Sequence, residues 1–423
     1  MAKRIAFISE HASPLAAVGG VDSGGQNVYV AQVACHLARL GFSVDVFTRR
    51  DAPELPEVMD WRPGVRVVHV PAGPASFVRK EELLPLMGGF CGFVGDFAGR
   101  SGGYHLAHAN FFMSGLAGRE LKRRLGIPFV ITFHALGRVR RLHQSEADQF
   151  PPQRLEIEDA LIEEADAVIA ECPQDRADLT SLYHADPRRI CVIPCGFDRA
   201  EFWPIARQFA RRALGLPAGE RIVLNIGRLV PRKGLDNVIA GVARLAREYG
   251  IVARLLIVGG NSDLPDPAIT PEIGRLHALA AAEGIAPQVQ FTGRRSREFL
   301  KLYYSAADVF ITTPWYEPFG ITPLESMACG TPVVGADVGG IRFSVLDHTT
   351  GCLVPPRDSA ALAGCLADLF RDPDQLRDYS RAGIRRVNDH FTWPQVTRSI
   401  AGLYEDVMAG KDPRPEGRMA VAA

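Results

Sequence analysis

Short apolar runs recur along this chain, and each is followed by a turn-rich stretch and then by residues with helical spacing. In the first half the pattern predicts strands at 4–9, 43–48, 65–70, 105–108, 128–133, 165–170 and 189–193. Helices fit the span ending at Leu40, which Gly41 caps, and 113–124, 153–164 and 174–183. A second series predicts strands at 221–226, 254–258, 289–292, 309–311, 332–335 and 352–354, with helices between them. Strand, helix, strand in regular alternation implies parallel sheets. The expectation is therefore an α/β chain of two doubly wound units, residues 1–200 and 201–391, with 194–217 as connector and 411–423 as a frayed tail.

Composition changes this picture little. The 423 residues are 47% hydrophobic and 23% charged, and Lys plus Arg equals Asp plus Glu at 48 each. No global field favours nucleic acid, so an anionic ligand needs a local cluster of cations. The apolar runs fall short of a membrane span and the first strand begins at once, which predicts a cytoplasmic protein without a transmembrane segment. Eight scattered cysteines read as free thiols; Cys191 and Cys195 have no second pair at metal-ligand spacing. Asp372-Pro-Asp374 reads as a helix N-cap, and no metal or other cofactor is assigned.

The chemistry concentrates in residues 313–340, TPWYEPFGITPLESMACGTPVVGADVGG. Glu317 falls on a loop after one apolar run and Glu325 in the first turns of the following helix, both at the carboxyl end of a strand, where open parallel sheets bind ligands. Ionised carboxylates accept from vicinal diols, and the amides of Phe319, Gly320, Ile321 and Thr322 open a helix that can face a polar ligand. Upstream, Gly227-Arg228 and Arg232-Lys233-Gly234 lie between a strand end and a helix start, the usual place for a diphosphate. The stretch 19–29, GGVDSGGQNVY, is glycine-rich but lacks the dinucleotide fingerprint, which argues against a dehydrogenase.

The Glu317 to Glu325 spacing resembles the Glu-x7-Glu signature of the retaining, family 4 (group 1) nucleotide-sugar glycosyltransferases, and Arg228 with Lys233 matches the same family's Gly-Arg-x4-Lys pattern. That resemblance implies the GT-B fold, two Rossmann-like domains facing across a cleft, with the last helix, about 392–410, returning to the first domain. It implies that Arg228 and Lys233 hold the donor diphosphate, Glu317 the sugar hydroxyls and Glu325 the ribose diol. The string Asp-x-Gly-Gly-x-Asn-Val-Tyr is similar to sucrose-phosphate synthases and to the inositol-phosphate glycosyltransferases of mycothiol synthesis, which puts Gly25 at the donor diphosphate and Asn27 at the acceptor. His134, in His-Ala-Leu-Gly, would lie against the transferred sugar, and Arg294, in Phe-Thr-Gly-Arg, would belong to the segment whose backbone reads the base. Lys80 and Arg154, with Glu158 as acidic partner of the arginine, line up with cations that hold an acceptor phosphate in those relatives.

Two departures stand out: the relatives' His-Tyr-Trp-x-Ser-Gly appears as Asn110 to Gly115 with Phe111 in place of the tyrosine, and Ala135 replaces a hydroxyl residue. The resulting expectation is a metal-independent hexosyltransferase using a nucleotide sugar, UDP-linked, and a small hydroxylated or phosphorylated acceptor. The alternatives are an epimerase or hydrolase of the same architecture and a non-catalytic sugar-nucleotide sensor. The oligomeric state stays open between monomer and homodimer.

Overall fold

The computed structural model describes residues 2–16 and 24–413, so Gly19 and Gly20 of the glycine-rich loop and most of the tail at 411–423 lie outside the described residues. The chain forms two units. The first comprises 2–16, 25–194 and the segment from Trp393; the second comprises Gly24 and the span 195–392.

Unit 1 is built on an eight-stranded sheet: β1 (Arg4–Ile8), β2 (Ser43–Arg49), β3 (Val58–Arg62), β4 (Val65–Val70), β5 (Leu106–Asn110), β6 (Phe129–Thr132), β7 (Ala167–Ala170) and β8 (Ile190–Val192). Their order is β3-β4-β2-β1-β5-β6-β7-β8, parallel except for β3. The antiparallel edge strand β3 escapes sequence reading because VMDWR is short, charged and half-exposed. A second unpredicted element is the helix Met87–Arg100, whose sequence MGGFCGFVGDFAGR carries enough glycine to argue against helix. Tertiary packing overrides that propensity, because Phe90, Val94 and Phe97 enter the core with Phe47 and Phe112. The helix Trp393–Met408 belongs to unit 1 and packs on the helix Gly25–Arg39. Trp393 meets Tyr29 edge-on at 5.9 Å, and the Tyr404 hydroxyl lies 2.6 Å from Nδ1 of His108.

Unit 2 has six parallel strands: β9 (Ile222–Ile226), β10 (Arg254–Val258), β11 (Val289–Gly293), β12 (Val309–Thr312), β13 (Val333–Ala336) and β14 (Gly351–Val354), ordered β11-β10-β9-β12-β13-β14. The chain direction across the sheet reverses between β9 and β12, so the crevice beyond their carboxyl ends is the expected ligand position. The stretch 194–217 is more than a connector. It contains the helix Arg207–Ala213, whose buried Arg211 donates to the Ala306 carbonyl at 2.9 Å and pairs with Asp308 at 2.9 Å. Asp372 caps the helix Pro373–His390 by accepting from the amides of Asp374 and Gln375. Among the described residues no helix is long and apolar enough to cross a membrane.

Candidate functional site

Two loops of unit 2 meet at the reversal point. One runs from β9 through a 3-10 turn at Pro231–Lys233 into the helix Leu235–Tyr249; the other runs from β12 into the helix Ile321–Ala328. Their contact depends on Gly234, which sits at φ +69° and on which a Cβ would lie 2.0 Å from the Thr313 carbonyl oxygen. Thr313 donates its hydroxyl to the Gly234 carbonyl at 3.2 Å, and the Trp315 amide donates to the Arg232 carbonyl at 2.9 Å. Gly339 plays the same part on the other side, since a Cβ there would lie 2.0 Å from the carbonyl oxygen of Glu317. The carboxylate loop is thus pressed between two glycines.

This packing joins Lys233 to Glu317 in an ion pair, although the residues are 84 positions apart. Burial lowers the Lys233 ammonium to about 8; Glu317 opposes the change, while Arg232 and Arg228 reinforce it. Burial would raise the Glu317 carboxyl, but Lys233, Arg232 and Arg228 together hold it below the ordinary range. Three cations therefore act on one anion. Arg232 stacks over the Tyr316 ring at 5.3 Å, and its Nη1 is buried without a hydrogen-bond partner. The spare donor of Arg232 beside Lys233 suits an anionic ligand.

Glu325 lies on the inner side of the helix Ile321–Ala328 and is only 2% exposed. The Tyr304 hydroxyl donates to its Oε2 at 3.0 Å, and Nη1 of Arg297 is 2.9 Å from its Oε1. Its carboxylate is therefore fixed from within rather than held out on a free first turn. Phe319 is buried, Gly320 is at φ +86° and Ile321 begins the helix. Arg294 follows β11; its amide donates to the Ser262 carbonyl at 2.8 Å and its own carbonyl accepts from Arg295 at 2.9 Å. A second lone pair on that carbonyl remains for a further donor.

In unit 1, Gly25 is the first residue of the helix Gly25–Arg39. Asn27 is buried and its amide nitrogen donates to the Ser13 carbonyl at 3.0 Å, which ties the helix to a neighbouring loop. Lys80 opens a 3-10 turn at half-exposure, and the preceding Arg79 donates to Gln149, next to Phe150. Arg154 is 1% exposed, with its guanidinium between the rings of Phe111, Phe112 and Phe150 at 4.9, 4.8 and 4.6 Å. Its Nε donates to Glu158 at 2.7 Å, and Glu158 also accepts from the Gly137 amide and the Tyr183 hydroxyl. Glu158 balances the cation and the aromatic faces hold it through cation–π attraction, while its Nη1 is buried without a hydrogen-bond partner.

His134 follows β6 at φ +57°, and the ring is met by Asn110 and Glu171. Phe111, after β5, also has a positive φ of 89°. Non-glycine residues in this region cost about 1–3 kcal/mol each and cluster at functional positions. Several participants were given no role from sequence: Arg232, Arg297, Tyr304, Asn110 and Glu171. Arg232, beside Lys233 in a basic loop, and Asn110, at the start of a motif that departs from the relatives, carried a local signal.

Comparisons with known proteins identify the family and the fold. The family model described as "Glycosyl transferases group 1" matches residues 206–386, and the "Glycosyl transferase 4-like domain" model matches residues 24–196. A D-inositol 3-phosphate glycosyltransferase of Acidothermus cellulolyticus is 38% identical over 424 residues, covering 99% of this chain and 93% of the relative. One from Thermobispora bispora is 36% identical over 416 residues, covering 96% and 95%. The solved sucrose-phosphate synthase of Thermosynechococcus elongatus superposes with a TM-score of 0.88 at 36% identity, covering 97% of this chain and all of that one. An Anabaena protein, HepE, solved in complex with UDP and glucose, shares the fold at a TM-score of 0.73 and 21% identity over 96% and 100% of the two chains. With two parallel-sheet Rossmann-like units and relatives spanning its length, the chain belongs to the group 1 glycosyltransferases of GT-B fold, and is an enzyme of that class.

Proposed function

We propose that this enzyme moves a hexose from a UDP-linked donor to a small hydroxylated or phosphorylated acceptor, with retention of configuration and without a divalent metal. The observation that supports the reading best is the convergence of Arg228, Arg232 and Lys233 on the single carboxylate of Glu317. As the bond from the anomeric carbon to the diphosphate oxygen breaks, negative charge gathers on the diphosphate, and preorganised cations lower that barrier. Glu317 orients the sugar hydroxyls, and Glu325, held by Arg297 and Tyr304, takes the ribose diol. The acceptor hydroxyl attacks from the face the diphosphate leaves. A new bond forms between its oxygen and the anomeric carbon, and its proton passes to the departing phosphate oxygen.

A thermal-shift series with nucleoside diphosphates tests the donor side. A ligand that binds only the folded form at about one hundred times its Kd adds about 2.7 kcal/mol. UDP should raise the melting temperature by several degrees and more than ADP or GDP do. If none of the three moves it, the donor assignment is lost.

The charge state of Lys233 makes a separate prediction. The ammonium is the form that binds diphosphate, and with its proton leaving at about 8 the active form is full below that pH and lost above it. The profile of kcat/KM for the donor should therefore bend down on the alkaline side near 8. In Lys233→Arg the guanidinium keeps its proton, so that limb should disappear; an unchanged limb assigns it to another group.

A further inference from the structure

Three neighbouring strands of unit 1 each deliver one polar residue to a single contact. Asn110 ends β5, His134 lies just past β6, and Glu171 directly follows β7. Asn110 is 0% and Glu171 3% exposed. Nε2 of His134 lies 3.1 Å from Oδ1 of Asn110, and Nδ1 lies 3.0 Å from Oε1 of Glu171. The edge of the Tyr29 ring pair closes another side, with centroids 4.8 Å apart.

The orientation of the Asn110 amide follows from its other contacts. Its Nδ2 donates to the Ile8 carbonyl at 3.2 Å and lies 3.5 Å from the His108 carbonyl. Carbonyls only accept, so the nitrogen must face them and the oxygen must face His134; a flipped amide would oppose oxygen to oxygen. The Glu171 carboxylate is likewise an acceptor. Both imidazole nitrogens then meet acceptors, and a ring in which both donate carries a positive charge, balanced here by Glu171. The other acid beside Glu171 does not compete for this role. Asp175 accepts from the Glu171 amide at 3.0 Å, and burial together with the Glu171 charge pushes it up to about 8, so it is mostly neutral at neutral pH.

We propose that Asn110 and Glu171 are positioning residues that hold the His134 ring with both nitrogens donating, so that it serves transfer as a fixed hydrogen-bonded cation and not as a proton acceptor. The proposal rests on the reading that His134 lies beside the transferred sugar. It removes the imidazole as a base for the acceptor hydroxyl and leaves that proton to the departing phosphate.

Nitrogen NMR of the full-length resting protein with labelled histidine, at pH 7, tests it. His134→Gln identifies the resonance. Wild type should show two protonated ring nitrogens at His134, and a single N–H with one bare nitrogen overturns the proposal. In Glu171→Gln, kcat should fall about tenfold or more at an unchanged donor KM, with Glu171→Asp recovering most of it. Equal kcat in wild type and Glu171→Gln also overturns it. The spectrum needs neither substrate, so failure of the clamp and failure of the transferase reading give different results.

Discussion

Lys233→Ala is expected to lower kcat for sugar transfer by about two orders of magnitude or more, the usual worth of one preorganised electrostatic stabiliser. The ammonium is one of three cations gathered on Glu317, and it is the one in direct contact with that carboxylate. Its loss removes a charge that acts on the leaving diphosphate and frees the side chain proposed to hold the sugar. Because the charge it meets grows during bond breaking, kcat should suffer more than donor KM. Steady-state kinetics on folded variant decide the matter: an unchanged turnover removes the central assignment.

Gly234→Ala should be nearly as damaging by a different route. A Cβ at this position would stand 2.0 Å from the Thr313 carbonyl oxygen, at a φ of +69° that L side chains rarely adopt. The left-handed conformation costs about 1–2 kcal/mol and overpacking about 1–3 kcal/mol more. For a unit of this size that is a fall in Tm of roughly 10 °C. The relief available is to draw the two loops apart, which parts Lys233 from Glu317. Calorimetry and transfer kinetics should both report it. A variant with wild-type melting and turnover would show that the contact between the loops is dispensable.

Much of the fold was legible. Apolar runs placed nearly every parallel strand, and the Arg228, Lys233, Glu317 and Glu325 positions stood out because strand ends and helix starts are where ligands sit in such sheets. The helix Met87–Arg100 was not legible, since its glycines oppose helix and only Phe90, Val94 and Phe97 finding a core beneath them make it one. The surroundings of Arg154 were not legible for a related reason. Sequence shows a cation, whereas the fold buries it, pairs its Nε with Glu158 and sets it among three phenyl rings.

By itself, then, the chain determined its alternation of strands and helices, and through it two parallel sheets whose carboxyl ends carry acids and bases at recognisable spacing. Tertiary structure alone decided which polar groups meet: Lys233 with Glu317, Arg297 with Glu325, and His134 with both Asn110 and Glu171. The reason is topological. Neighbouring parallel strands are joined by long crossovers, so residues that touch at their ends are far apart in sequence, and no local periodicity records the pairing.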